Sequence, residues 1–345
     1  MTEIIKINPK KPEKNKIKKA VQILKNGGLV AFPTETVYGL GADALNPVAI
    51  KKIFKAKKRP QDNPLILHIA KKEDVFIYTE PDKKNLELIK KLINKFWPGP
   101  LTLIIKKKKI VPSEITAGLK NTSIRLPDNI VARALIKELG SPIAAPSANL
   151  SGSPSPTDAS HVYNDLAGRI EMILDGGATK IGVESTILDC TKSPFVLLRP
   201  GKIIAEELEK IVGKIKMYKA SQKIKNPPSP GLKYAHYAPK AKLILIEGRI
   251  YDVRKKINEL AEKYKSDEKT VGVLNLGNRY NYKNAETIIS LGGNNEAIAK
   301  NLFRSFREFD KKNIDIILAE GIPEKNFGVA IMNRLRKAAK EIIKI

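Results

Sequence analysis

Between residues 216 and 240 the chain loses its periodicity, and that break limits what it can fold into. The stretch KMYKASQKIKNPPSPGLKYAHYAPK is rich in Lys, Pro and Tyr and carries neither a helical nor a strand repeat. It reads as a linker. Cutting a 345-residue chain there leaves two blocks of ordinary domain size, 1–215 and 241–345, joined by 216–240.

In the first block, residues 15–26 show helical periodicity and stop at Gly27-Gly28. Further helices are predicted over 47–56, 82–95, 129–139 and 203–212. Strands are predicted at 29–33, 64–70, 101–106 and 184–190, at 195–201, and at the starts of 121–129 and 141–157. TETVYGLGADAL reads as a Thr- and Gly-rich segment in which Gly39 and Gly41 let backbone approach closely. Its GLG lacks the third glycine of a dinucleotide fingerprint. Trp97, between Phe96 and Pro98, is expected to plug a core. Strands and helices alternate with short and crossover connections, so the class is α/β or α+β. The second block has four apolar strands, AKLILIEG, TVGVLNLG, ETIISLGG and NIDIILAEG, with helices over roughly 251–264, 294–309 and 328–343. That pattern predicts a small, largely parallel, Rossmann-like layer without a phosphate loop.

Several classes fall away. No apolar run is long enough to span a bilayer. The charged N-terminus has no apolar core of a signal peptide. The lone Cys190 permits neither an internal disulfide nor a cysteine metal cage, and a reducing cytoplasm is the simplest compartment. With only His68, His161 and His236, no metal site is expected. The phosphate-loop, HExxH and GxSxG motifs are absent. A Ser/His/Asp triad stays open, although no strained nucleophile turn announces one. The net charge of +27 would favour polyanions such as RNA or nucleotides, but Lys is scattered along the whole chain as on a solvated surface.

The chemistry centres on IFKAKKRPQDNPLILH, residues 53–68. Pro60 should stop the preceding helix near Arg59, and cations in a last helical turn complement its dipole. The same residues suit an anion: Arg59 offers a forked grip, Lys57 a point charge, and Asn63 and His68 sit close by. Elsewhere Arg125 and Arg199 stand beside turns, and Thr34, Thr36, Thr122, Ser147, Asn149 and Ser185 lie in or beside loops. This set suits phosphates and a small carboxylated ligand, in a reaction driven by positioning and charge neutralisation.

The motifs FPTETVYGLG (32–41), K-x-R-P with N-P-L (57–65), FWPGPLT (96–102), SIRLP (123–127), APSAN-x-SG (145–152), ESTI-x-D (184–189) and LRPG (198–201) occur in one order. Together they closely resemble the YrdC-type threonylcarbamoyl-AMP synthases. SPGLKYAHYAP (229–239) looks like the segment that joins this domain to the extra domain of the long form. The resemblance implies an open, twisted α/β sheet similar to a double-stranded-RNA-binding fold, followed by a Rossmann-like α/β domain. It also implies synthesis of threonylcarbamoyl-adenylate from L-threonine, bicarbonate and Mg²⁺-ATP, with release of pyrophosphate. A downstream threonylcarbamoyl transferase machinery would then modify tRNA, and tRNA itself stands as a further candidate partner.

By the same resemblance, Lys57 and Arg59 are the catalytic cations. They share the ATP with Asn63, Thr122, Ser147, Asn149, Ser155, Arg199 and Tyr237. Threonine would lie against Thr36, His68, Arg125, Ala145 and Ser185, with Thr34 nearby and Arg125 gripping its carboxylate. The linker, carrying Tyr234 and Tyr237, is the expected lid over a labile intermediate. Two other readings are an RNA-binding module, which would release no pyrophosphate, and a carbamoyl-phosphate-using transferase. The latter is disfavoured by the absence of cysteine-rich fingers and of an acylphosphatase-like segment.

Overall fold

The computed structural model describes residues 1–218, 229, 237–276 and 280–345. Most of the expected linker, including Tyr234, lies outside them. The chain forms two compact units. The first comprises Met1–Ser151, Ser155–Lys180 and Glu184–Tyr234; the second comprises Ala235–Ile345 with Gly152–Pro154 and Ile181–Val183.

The strands of the first unit are β1 (Glu3–Lys6), β2 (Val30–Phe32), β3 (Gly39–Asp43), β4 (Ile66–His68), β5 (Leu101–Lys106), β6 (Asn121–Arg125), β7 (Ile143–Ala145), β8 (Met172–Asp175), β9 (Thr186–Asp189), β10 (Val196–Arg199) and β11 (Lys216–Met217). Its helices are α1 (Lys14–Lys25), α2 (Pro47–Lys57), α3 (Val75–Tyr78), α4 (Lys83–Phe96), α5 (Ser113–Thr116), α6 (Ile130–Leu139), α7 (Ala159–Leu166) and α8 (Ala205–Val212). The strands make one mixed sheet in the order β1-β8-β2-β3-β7-β4-β6-β5-β9-β10-β11. One face packs on α2 and α4 through Ile53, Phe54, Ile89 and Leu92, with Leu67, Leu103 and Ile124 below. Trp97 joins that core as expected, and its Nε1–H donates to Leu101 O at 2.7 Å. The other face takes α1 and α6 through Leu24, Val131 and Leu135, against Phe32 and Ile143.

Four strands of the first unit escape a reading of the sequence. β1 is a charged edge strand, β8 is short, β11 is a two-residue edge strand that extends the sheet into the first residues of the expected linker, and β3 is glycine-rich, where strand propensity is low. The glycines of β3 have a packing reason. A Cβ on Gly41 would fall 2.7 Å from Ile143 and 2.8 Å from the Phe32 ring.

Helix α2 sets up the site. The Asn46 side chain accepts the Val48 and Ala49 N–H groups, and Pro47 fits the first turn. At the other end Lys58 turns left-handed at φ 50°, and the Arg59 N–H returns to Phe54 O at 2.9 Å. The helix therefore ends at Lys57, just short of the stop that Pro60 alone predicts, which leaves Arg59 on the loop.

The second unit contains β12 (Lys242–Glu247), α9 (Ile250–Ser266), β13 (Val271–Asn275), β14 (Thr287–Ser290), α10 (Asn295–Lys311), β15 (Ile316–Glu320), α11 (Gly328–Ala338) and β16 (Glu341–Lys344). Its sheet, β14-β13-β15-β12-β16, is parallel throughout, as the Rossmann-like reading expects. The helix predicted over 328–343 is corrected. It stops at Ala338, and residues 341–344 form an added strand whose Ile342 and Ile343 pair with Leu245 and Ile246. Glu320, at the end of β15, ties the strand ends together. It accepts from the Leu276 N–H at 2.8 Å, from the Tyr282 hydroxyl, and from Arg254 Nε at 3.3 Å. No helix among the described residues is long and apolar enough to cross a membrane.

Candidate active site

Register alone gathers several of the expected residues on one sheet face. His68 pairs with Arg125 across β4 and β6, and Ile104 of β5 pairs with Ser123. Thr102 pairs with Ile187, which pairs with Arg199. Because side chains alternate along a strand, His68, Arg125, Thr102 and Arg199 point to the same side. By the same alternation Thr122 points to the opposite side from Arg125, and its buried hydroxyl has no hydrogen-bond partner.

Arg125 is the hub. Its Nε–H donates to Gly99 O at 3.2 Å and Nη1 donates to Thr36 Oγ1 at 3.1 Å. Its Nη2 lies 2.6 Å from Glu35 Oε1, with both side chains 4% exposed. The Thr34 hydroxyl donates to Val37 O at 2.6 Å, so the 2.8 Å contact between Thr34 and Thr36 is donated by Thr36. The turn between β2 and β3 is thereby bonded into a cup around the guanidinium. His68 lines the same face, with Nδ1 3.1 Å from Ile66 O and the Phe32 ring edge-on to it. Burial first, and the Arg125 charge second, push its pKa down to about 3. The imidazole is therefore neutral at physiological pH.

A second group forms around Ser185. Arg199 donates through Nε to Ser185 O at 3.0 Å and through Nη2 to Ser185 Oγ at 3.1 Å. Thr102 Oγ1 lies 2.8 Å from the same hydroxyl. Because Gly99 O also holds Arg125, the Pro98–Leu101 turn links the two groups.

The third group unites the K-x-R and S-x-N motifs. Lys57, only 1% exposed, donates from Nζ to the carbonyl oxygens of Ser147 and Asn149. The Ser147 hydroxyl donates to Asn149 Oδ1 at 2.6 Å. This loop follows β7, whose Ala145 pairs with Ile66, and Ser147 bridges to Gly39. Arg59 donates to Asn63 O at 3.2 Å and Pro64 O at 3.1 Å, which ties down its own loop, and the Asn63 Oδ1 is buried without a hydrogen-bond partner. The Ser155 hydroxyl donates to Glu184 Oε1. Tyr237 packs inside the second unit, its ring stacked on Phe303 at 5.1 Å and the Arg334 guanidinium 5.8 Å from its centroid.

Glu35 is not among the residues expected from the sequence. Its signal was a carboxylate between two threonines of TETVYG in a strongly basic chain. Among the described residues no group of three or more His, Cys, Asp or Glu is arranged to hold a metal.

Comparison with known proteins matches these features. The Sua5, YciO and YrdC family model, described as "Telomere recombination", covers residues 22–201. A second, described as "Threonylcarbamoyl-AMP synthase, C-terminal domain", covers residues 203–340. A threonylcarbamoyl-AMP synthase of Pyrococcus abyssi is 48% identical over 100% of both chains. One from Bacillus subtilis is 48% identical over 94% of this chain and 92% of its own. The crystal structure of P. abyssi Sua5 complexed with L-threonine aligns over 100% of both chains with a TM-score of 0.94. The chain therefore belongs to the two-domain threonylcarbamoyl-AMP synthase family.

Proposed function

We propose that this protein makes L-threonylcarbamoyl-AMP from L-threonine, bicarbonate and ATP, releases pyrophosphate, and so supplies threonylcarbamoyladenosine modification of tRNA. The observation that carries the reading is Arg125. Its guanidinium is pinned by Gly99 O and Thr36 on two nitrogens, and its third already lies against a carboxylate. Such a group is preorganised to receive the carboxylate of an amino acid. The P. abyssi relative, 48% identical along its whole length, has a structure complexed with L-threonine.

In this reading threonine lies against Thr36, His68, Arg125, Ala145 and Ser185. Its amine gains a carboxylate from bicarbonate, and that carboxylate attacks the α-phosphorus of ATP. Lys57 holds the Ser147–Asn149 loop in place, and Arg59 and Arg199 offset charge on the phosphates. Asn63, Ser147, Asn149 and Ser155 complete the nucleotide's surroundings, and Thr122, which faces the other side of the sheet, is left out of them. Neutral His68 supports the threonine without adding a second cation beside Arg125.

The test is pyrophosphate release from Mg²⁺-ATP and bicarbonate, with and without L-threonine. Threonine-dependent release, abolished in Arg125→Ala, is expected. A folded wild-type protein that releases no pyrophosphate in the presence of threonine would overturn the reading.

A further inference from the structure

Glu35 is buried with neither carboxylate oxygen in an aligned hydrogen bond. Among the described residues its one partner is Arg125, 2.6 Å away, held by charge without hydrogen-bond alignment. A buried carboxylate left without hydrogen bonds is costly, and its persistence beside the residues proposed to hold threonine calls for a reason. An amino acid supplies one. It carries a carboxylate and an ammonium on a single carbon, and Arg125 with Glu35 presents the opposite charges side by side.

We propose that Glu35 receives the threonine ammonium and takes its proton, so that the amine can be carboxylated. Glu35 has this task only if the chain is the synthase inferred above. The step needs a base because an α-amino group is protonated near neutral pH, and an ammonium has no lone pair to attack with. One proton passes from nitrogen to the Glu35 carboxylate. The freed lone pair attacks the carbon of bicarbonate, a C–N bond forms, and the C–OH bond breaks. The hydroxide leaves as water with a second proton from nitrogen. Threonine ammonium, Glu35 carboxylate and bicarbonate thus become N-carboxythreonine, water and the neutral Glu35 acid, with charge balanced. His68 is the other basic group on this face. Its Nδ1 is turned to Ile66 O and its ring faces the Arg125 charge, which leaves it a poor proton acceptor. The hydroxyls of Thr34 and Thr36 are occupied by Val37 O and by each other.

Glu35→Gln keeps the shape and a hydrogen-bond acceptor for Arg125 but cannot take a proton. Two reactions separate the roles: forward threonine-dependent pyrophosphate release, and ATP formation from threonylcarbamoyl-AMP and pyrophosphate, which needs only the adenylate step. In Glu35→Gln the forward rate should fall by about 10²-fold or more. ATP formation should stay within about tenfold of wild type. Loss of both reactions would make Glu35 structural, and retention of both would make it dispensable; either overturns the proposal. Wild-type protein run in parallel decides the synthase reading itself, since its failure in the forward assay removes the reaction that Glu35 would serve.

Discussion

His68 stands opposite Arg125 across the parallel pair of β4 and β6, so a histidine and an arginine share one buried face of the sheet. Burial and the neighbouring cation both disfavour the imidazolium and push its pKa down to about 3. As the pH falls the unfolded chain takes up this proton near the ordinary value of about 6.5, and the folded protein holds out until about 3. The contribution to stability is whole above the unfolded value and is lost as pH falls through that window, by up to about 1.4 kcal/mol per pH unit. Urea midpoints at pH 7 and pH 4.5 should drop further for wild type than for His68→Gln. Equal drops would mean that His68 titrates normally.

Lys57 is predicted to act as much through the loop it holds as through its charge. Lys57→Met keeps most of the stem but leaves the Ser147 and Asn149 carbonyls without their ammonium donor. The loss should be about 2–4 kcal/mol, and pyrophosphate release should fall about 10²-fold or more. Chemical denaturation alongside the release assay checks both. A variant as stable as wild type would contradict the clamp.

Gly201 closes the LRPG turn beside the Ser185 group. A Cβ there would fall 2.4 Å from the Thr186 nitrogen and 2.7 Å from its hydroxyl. Gly201→Ala should cost about 1–3 kcal/mol. It should also weaken activity, because Ser185 and Arg199 sit on the two segments forced apart. Thermal unfolding with the same assay would show both effects, and unchanged values would mean that the turn yields freely.

In the second unit Glu320 satisfies the Leu276 N–H and the Tyr282 hydroxyl at once. Glu320→Ala strands both groups and should cost about 2–4 kcal/mol. Amide exchange should rise along β13 and β15. Unaltered protection there would mean that water replaces the carboxylate at little cost.

Much of this was written in the sequence. The helical stop after Asn26, Trp97 as a core plug and the parallel second sheet all follow from local pattern. Lys57, Arg59, Arg125, Arg199 and the hydroxyls beside turns are candidates on residue type and position, whereas Ala145, Ser155 and Tyr237 rest on the family resemblance. What stayed hidden depends on distant partners. EIIK at 341–344 follows a helix with no Gly or Pro between, and only its pairing with β12 makes it a strand. GLGAD at 39–43 looks like a loop until Phe32 and Ile143 close over its glycines. Glu35 lies beside threonines in sequence, and its pairing with Arg125 spans the sheet from the β2–β3 turn to the end of β6.

The same dependence on distance governs how the first unit assembles on the ribosome. β8 lies between β1 and β2, and joins Met172 to both Glu3 and Val30. A nascent chain that has emerged only as far as α7 has an open row of backbone donors and acceptors along β2 and nothing to fill it. Non-local pairing of this kind is slow and leaves apolar strands exposed to other chains. Capture by holding chaperones is therefore expected to matter most in the interval before residues 172–175 appear, and to fall away once β8 slots in.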